Sequence, residues 1–184
     1  MQKIKPAFIL FIFGAVVGTG LDMFHTYSES TVYTHPLFIK AAWWTPVLFG
    51  LALLSGGLSL PFLRKKLGVK DKEVGFSKLG LCFLFFALQY YLSGFWNDET
   101  TKLPIQAGFA LLVWVLFDRK PAGLFLGLIT GVIGASTEII IIHLGGFIWT
   151  KPDFLGVPYW LPFLYFTGSV FMNLLGMKLQ SRNA

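Results

Sequence analysis

Six long apolar segments dominate the chain, and they constrain its fold more than any other feature. They cover approximately residues 6–26, 42–63, 77–96, 103–118, 122–144 and 158–178. A helix needs about 20 residues to cross about 30 Å of hydrocarbon. Each segment is continuously apolar, whereas a lipid-facing strand alternates apolar and polar residues. The sequence predicts an all-α polytopic membrane protein, with six transmembrane helices in one compact bundle and a single domain over residues 1–184.

The composition also favours a membrane protein over a soluble one. Hydrophobic residues make up 55% of the chain and charged residues 13%, whereas a typical soluble domain has about 25% charged residues. The fourth segment is the shortest, with about 15 apolar residues from Leu103 to Phe117. It spans the bilayer if its helix recruits Thr100 and Thr101, or if the bilayer thins around it.

The basic residues predict the orientation of the helices. With six spans and both termini in the cytoplasm, twelve basic residues lie inside and three outside. The outer three are Lys40, Lys102 and Lys151; the inner twelve are Lys3, Lys5, Arg64, Lys65, Lys66, Lys70, Lys72, Lys78, Arg119, Lys120, Lys178 and Arg182. This distribution follows the positive-inside rule. It accounts for the net charge of +6 without nucleic-acid binding.

Aromatic and small residues recur at positions typical of membrane helices. Six aromatic residues fall near the predicted outer ends of spans, which is typical of an interfacial belt; they are Trp43, Trp44, Trp96, Trp149, Tyr159 and Trp160. The fifth segment carries Gly123, Gly127, Gly131 and Ala135 at four-residue spacing. Such a stripe allows close helix packing, and it can also make room for a flat apolar molecule.

Two carboxylates lie inside predicted spans, Asp22 in the first and Glu138 in the fifth. Each is about 16 residues from the cytoplasmic start of its helix, so both lie about 24 Å deep, in the outer part of the bilayer. His25 and His143 fall near that depth, and Gln89 lies somewhat deeper on the third segment. Ionisable groups are costly in lipid. These residues therefore either satisfy one another inside the bundle or bind the headgroup of a ligand.

The sequence contains no HExxH, GxSxG or CxxC motif and no paired Asp motif at protease spacing. We therefore predict a binding protein rather than an enzyme, with no cofactor and no metal. The alternative function is a small proton-coupled transporter that uses Asp22 and Glu138.

Three stretches from about Ala41 onward resemble the Insig family, the insulin-induced gene proteins. The second span opens with Ala-Trp-Trp-Thr-Pro at 42–46. The fourth ends in Trp114-x-x-Phe117-Asp118-Arg119, followed by Gly123 and Leu126-Gly127. After the fifth come Thr-Lys-Pro-Asp-Phe-Leu at 150–155 and Trp-Leu-Pro at 160–162, then Phe166, Gly168 and Gly176. The combined pattern covers about three quarters of the chain.

The resemblance implies a six-span bundle with a lipid pocket that opens to the bilayer. Animal members sense oxysterol and hold two membrane partners, an escort protein and a sterol-synthesis reductase. Trp114 matches a Trp near the family's pocket. Asp118 matches an Asp at the cytoplasmic membrane edge that supports partner binding. Alternatively, Trp114 only packs, and Asp118 caps a turn and pairs with Arg119 or Lys120.

The short chain, its single Cys and the lack of an Asn-x-Ser/Thr acceptor indicate a prokaryotic homologue in the plasma membrane; a eukaryotic one would lie in the endoplasmic reticulum. We predict that the protein binds a diacylglycerol-like or sterol-like lipid and has a regulatory role toward a membrane-protein partner, with a homo-oligomer as a further expectation. Asp118 is the predicted partner-binding residue, and the predicted lipid-binding residues are Asp22, Gln89, Trp114, Gly127, Gly131 and Glu138.

Overall fold

The computed structural model describes residues 4–37 and 39–181, so Lys3 and Arg182 of the predicted charge bias lie outside the described residues. Long helices connected by short loops form most of this part of the chain. In chain order they are α1 (Ile4–Phe13), a π-helical turn (Gly14–Gly18), α2 (Thr19–Tyr27), α3 (Thr45–Lys66), α4 (Phe76–Phe95), α5 (Glu99–Phe117), α6 (Pro121–His143) and α7 (Leu161–Ser181).

The first span is one continuous rod in which α1, the π turn and α2 follow one another. Gly14 and Gly18 bound the π turn. Gly14 lies against the Phe49 carbonyl and the Leu53 side chain of α3, and Gly18 lies against the Phe49 ring. A side chain at either position would collide with α3, so the two glycines bring the first span close to its neighbour. Single π turns inside helices are frequent at functional sites.

The fourth span is longer than its apolar stretch because a polar cap extends it. Asp98 is the N-cap residue, and its carboxylate accepts a hydrogen bond from the Thr100 backbone N–H at 3.0 Å. Hydrogen bonds from Thr100 and Thr101 also lower the pKa of Asp98. The helix begins at Glu99 and has 19 residues. It therefore includes Thr100 and Thr101, as predicted for a segment of marginal length.

Helix α7 occupies the centre of the bundle and packs against α3, α4, α5 and α6. Thirteen of its 21 residues are buried, compared with five of 23 in α6. Its buried side chains include the polar Thr167, Ser169 and Asn173. Because protein rather than lipid surrounds this helix, its side chains can be less apolar than those of the outer helices.

Two short strands pair in the loops at one end of the bundle. Strand β1 (Thr31–Tyr33) follows the first span, and β2 (Phe147–Trp149) follows α6. They are antiparallel, with Thr31 opposite Trp149 and Tyr33 opposite Phe147. In each strand the first and third residues are buried and the middle one is exposed. We call this end the strand end, and we call the other end, which carries Arg64 and Lys120, the basic end.

Five of the six predicted spans are helices long and apolar enough to cross a membrane within the described residues. They correspond to the predicted segments 6–26, 42–63, 77–96, 103–118 and 122–144 to within a few residues. The chain is thus a mostly helical, multi-pass membrane protein. The sixth segment, 158–178, is also helical as α7, but it is not among those five. Six spans and cytoplasmic termini therefore stay predictions.

We predict that Gly176→Ala destabilises the bundle by about 1–3 kcal/mol, because a Cβ there would collide with the backbone carbonyl of Gly57 on α3. Gly108→Ala is the matched control, since a Cβ at Gly108 meets no atom within 4 Å. The control should be neutral or stabilising by about 0.5–1 kcal/mol. Thermal unfolding of both variants in detergent measures the difference. Equal unfolding temperatures would contradict the close α3–α7 contact.

Candidate functional site

The buried carboxylates at the strand end accept hydrogen bonds from residues of the two strands. The Tyr33 hydroxyl of β1 donates to Asp22 at 2.8 Å. The Trp149 indole N–H of β2 donates to Glu138 at 2.7 Å, and the Tyr165 hydroxyl of α7 donates to the other oxygen at 2.5 Å. Burial and the nearby Asp22 carboxylate raise the pKa of Tyr33, so its phenol keeps the proton that it donates.

His25 connects this arrangement to α4 and to the aromatic residues of the loops. Its Nε2 lies 2.7 Å from the Ser93 hydroxyl, and its Nδ1 lies 3.9 Å from an Asp22 oxygen. Its ring packs against Trp149, with centroids 5.1 Å apart, and against Tyr90, at 5.2 Å. We call this group the polar cluster; it consists of Asp22, His25, Tyr33, Ser93, Glu138, Trp149 and Tyr165.

The polar cluster contains some of the residues of the predicted polar layer and not others. Asp22, His25 and Glu138 belong to it, whereas the exposed His143 contacts its own helix, with Nδ1 2.7 Å from the Ile139 carbonyl. Trp149 and Trp160, predicted for the interfacial belt, are 5% and 3% exposed and belong to the core. That prediction was wrong for these two, because they pack around His25. Trp43 is 68% exposed, as a belt residue should be.

Gln89 makes a separate contact deeper in the bundle. Its amide donates to the Gln106 backbone carbonyl at 3.3 Å, and the Gln106 amide donates back to the Gln89 carbonyl at 3.4 Å. Both side chains are fully buried. The pair joins α4 to α5 inside the core. Gln106 was not singled out from the sequence, although a glutamine in an apolar segment is a usable signal for such a contact.

An apolar cleft of about 80 Å³ lies between the first span, α3, α4 and α7. The π turn contributes Gly14 and Gly18 to its wall. Tyr90 and Tyr165 are its polar-tipped residues, and Tyr165 also belongs to the polar cluster. The rest of its described lining is Phe13, Val17, Leu21, Phe49, Ala52, Leu53, Phe83, Phe86, Leu164, Gly168, Phe171 and Met172. The cleft is therefore apolar except for these two tyrosines, which we call its polar cap.

The six predicted lipid-binding residues are absent from this described lining. A Cβ at Gly127 would meet the Phe166 ring, and one at Gly131 would meet the Pro162 carbonyl, so α7 fills the small-residue stripe. Trp114 lies near the basic end, where its indole N–H donates to the Lys120 carbonyl at 3.1 Å. Asp22 and Glu138 contact the cleft only indirectly, Asp22 next to Leu21 and Glu138 through Tyr165.

Asp118 is part of an ion-pair network at the basic end. Arg64, whose side chain is 3% exposed, donates to Asp118 at 2.8 and 2.9 Å and to Asp71 at 2.9 and 2.8 Å. The Lys120 Nζ lies 3.0 Å from the Asp71 oxygen that Arg64 Nη2 also contacts. Burial alone would raise the pKa of Asp71, but hydrogen bonds from Arg64 and Lys120 lower it below the ordinary value. The network ties the loop after α3 to the α5–α6 turn.

The side chain of Asp118, the predicted partner-binding residue, is buried within this ion-pair network. Its carboxylate is 6% exposed and paired with Arg64, rather than with Arg119 or Lys120 as the alternative interpretation expected. Within the part of the chain that the structure describes, no group of three or more His, Cys, Asp or Glu side chains could hold a metal ion.

Comparison with known proteins identifies relatives over nearly the whole chain, although no family model matches it. The insulin-induced gene 1 protein of Danio rerio is 29% identical over 183 residues, which cover 96% of this chain and 72% of that protein. The insulin-induced gene 1 protein of Cricetulus griseus is 27% identical over 183 residues, with 96% and 71% covered.

Solved structures give the same result for the fold. The mycobacterial Insig homologue MvINS from Mycobacterium vanbaalenii superposes with a TM-score of 0.83 at 26% identity, covering 97% of this chain and 96% of that one. A cross-linked trimer of MvINS superposes with a TM-score of 0.82 at 28% identity, with the same coverage. The resemblance to the Insig family that the motifs indicate is thus confirmed, in sequence and in fold, along nearly the whole chain.

Proposed function

We propose that this Insig-like protein crosses the membrane six times and binds the apolar part of a membrane lipid in the cleft between the first span, α3, α4 and α7. The observation that carries the proposal is the cleft itself, an apolar space with a polar cap in the middle of a bundle. Ligand pockets typically combine apolar walls with a few convergent polar groups. Lipid would reach the cleft from the bilayer rather than from water.

The size and wall of the cleft favour a flexible acyl chain over a rigid sterol ring. About 80 Å³ is below the usual 300–1,000 Å³ of ligand pockets, so the cleft accepts a short length of chain. Its wall contains four small residues, Gly14 and Gly18 in the π turn, Ala52 on α3 and Gly168 on α7. A diacylglycerol-like lipid would place one chain here and its polar groups toward Tyr90, Tyr165 and the polar cluster.

The sixth span is proposed from the position of α7. The helix has 21 residues and packs along α6 and α3, both of which are long and apolar enough to cross a membrane. A central helix that packs against membrane-spanning helices would cross the bilayer with them. With six crossings the two ends of the chain lie on the same side, which the positive-inside rule makes the cytoplasm. For a prokaryotic homologue, the membrane is the plasma membrane.

A protein partner and self-association belong to the same proposal. Like the trimer described for MvINS, this chain would form a homo-oligomer in the membrane. A regulated membrane protein would dock at the basic end, on the loop held by Arg64, Asp71 and Asp118. Proton-coupled transport through Asp22 and Glu138 is not proposed, since no described contact favours it over the hydrogen bonds that both carboxylates already accept.

Filling the cleft should remove bound lipid. Ala52→Phe places a ring at the cleft without disturbing a buried side chain, because Ala52 is exposed on α3. We expect bound diacylglycerol-like lipid to fall on the order of tenfold, which corresponds to about 1.4 kcal/mol. Mass spectrometry of the lipids that remain with the purified protein measures this loss.

Val47→Phe is the control for that experiment, because Val47 is 46% exposed on the same helix and is not part of the described lining. It should leave the lipid content unchanged. If Ala52→Phe and Val47→Phe retain the same lipids as the unsubstituted protein, the cleft is not the binding site. If the unsubstituted protein retains only the bulk lipid ratio, lipid binding itself is refuted.

Asp118→Asn should destabilise the basic end by about 1–3 kcal/mol, because it leaves the buried Arg64 guanidinium with one carboxylate partner instead of two. Lys120→Met breaks a pair whose lysine is 36% exposed, so it should cost about 0–1 kcal/mol. Thermal unfolding in detergent compares the two variants. A larger loss for Lys120→Met would contradict the central position of Arg64.

A further inference from the structure

A second cavity, of about 360 Å³, lies at the basic end and is separate from the apolar cleft. The two have no described lining residue in common. Lysines from the loop after α3 and from the start of α4 line it, among them Lys70, Lys72 and Lys78. Apolar residues of α5 and α7 line it as well, including Phe117 and Leu174. The cavity therefore combines a basic lining with an apolar one.

The charges of the lining are not balanced. It contains five basic and three acidic side chains, so two positive charges are in excess. Arg64 and Lys120 are already occupied by Asp71 and Asp118, and Glu73 lies 3.4 Å from Lys178, outside the lining. Among the described residues, Lys70, Lys72 and Lys78 make no ion pair within 4.0 Å. They are available to an anion.

Asn173 gives independent evidence that the cavity takes a polar ligand. This residue of α7 lines the cavity, is 6% exposed and has no hydrogen-bond partner for its Oδ1 among the described residues. A buried amide oxygen without a partner is costly and uncommon. Because the oxygen and nitrogen of an Asn amide are assigned from its neighbours, the group can accept from a ligand hydroxyl or donate to a ligand oxygen.

We propose that this cavity binds a phosphate-bearing anion, with Lys70, Lys72 and Lys78 around its charge and Asn173 bonded to a polar atom beside it. A phosphate attracts lysines as point charges and also accepts several hydrogen bonds. The anion is supplied either by a lipid headgroup, whose glycerol and chains would cover Phe117 and Leu174, or by a soluble phosphate. Each lysine near a membrane surface strengthens the binding of anionic lipid roughly fivefold.

The experiment uses the full chain in phosphatidylcholine nanodiscs that contain a minor fraction of phosphatidylglycerol. Native mass spectrometry counts the phosphatidylglycerol molecules that each protein retains. The double variant Lys72→Gln, Lys78→Gln should retain it roughly 10- to 30-fold more weakly. The matched control is Lys66→Gln, Arg119→Gln, which removes the same charge from the same end but from outside the described lining. It should change binding less than about twofold.

Asn173→Leu distinguishes a specific site from a general effect of charge, because it leaves the net charge unchanged. It removes an amide whose oxygen has no hydrogen-bond partner within residues 4–37 and 39–181. Phosphatidylglycerol binding should weaken roughly two- to tenfold while the unfolding temperature stays equal or rises. A fall in binding that only follows a fall in unfolding temperature would refute the role of Asn173. This result is independent of lipid in the apolar cleft, which Ala52→Phe tests.

A competition arm distinguishes the two sources of the anion. If inorganic phosphate in the buffer displaces phosphatidylglycerol from the unsubstituted protein and equally from the Lys66→Gln, Arg119→Gln control, the cavity takes soluble phosphate. If phosphate does not compete, the ligand is the lipid headgroup. Equal losses in the two charge-removing double variants would overturn the proposal, since the binding would then depend on the net charge of the basic end alone.

Discussion

Close contact between α7 and the helices around it is the interaction on which the rest of the structure depends. Lipid tails are as apolar as leucine side chains, so helices in a membrane associate through packing rather than through the hydrophobic effect. Gly57 and Gly176 allow α3 and α7 to touch through their backbones. On α6, Gly131 lies against the Pro162 carbonyl of α7, and Gly127 makes room for the Phe166 ring. The apolar cleft is the place where this packing is incomplete.

The strand end supplies hydrogen-bond donors that offset the cost of burying two carboxylates. Asp22 and Glu138 would be costly inside the bundle without donors. Tyr33 and Trp149 supply them from two paired strands in the loops, so the same strand pair connects the first span to α6. The strand pair thus has two roles, since it connects the loops and supplies hydrogen-bond donors to the polar cluster beside the proposed lipid site. Changes in the polar cluster are expected to alter both the packing of the helices and the polar end of the cleft.

Much of the fold could be predicted from the sequence because long apolar segments have few alternatives in a bilayer. Even the short fourth span was recovered, since Thr100 and Thr101 follow an N-cap Asp. Strands β1 and β2 were not predicted, because three-residue alternations such as Thr31–Tyr33 are too short to stand out. The π turn was missed as well, although Gly14 and Gly18 were visible as a spaced pair.

The site could be predicted only in part. Apolar periodicity does not determine which helices become neighbours, so the lining of the cleft by Phe49 and Gly168 could not be read from the sequence. For Gly127 and Gly131 the sequence left two alternatives, close helix packing or room for an apolar molecule, and the structure shows close packing against α7. Asp118 was singled out through the resemblance as a partner-binding residue, whereas the residue that it pairs with, Arg64, lies 54 residues away in the chain. An ion pair between residues so far apart in the chain cannot be predicted before the fold is known.

The central claim is that α7 crosses the membrane inside the bundle, and the sides of the two chain ends test it most directly. Single cysteines would be introduced by Lys5→Cys, Lys151→Cys or Ser181→Cys into a Cys82→Ser background and labelled in sealed vesicles with an impermeant maleimide. Six spans predict that positions 5 and 181 are labelled from one side and position 151 from the other. Labelling of 181 and 151 from the same side would show that α7 does not cross, and it would contradict the account.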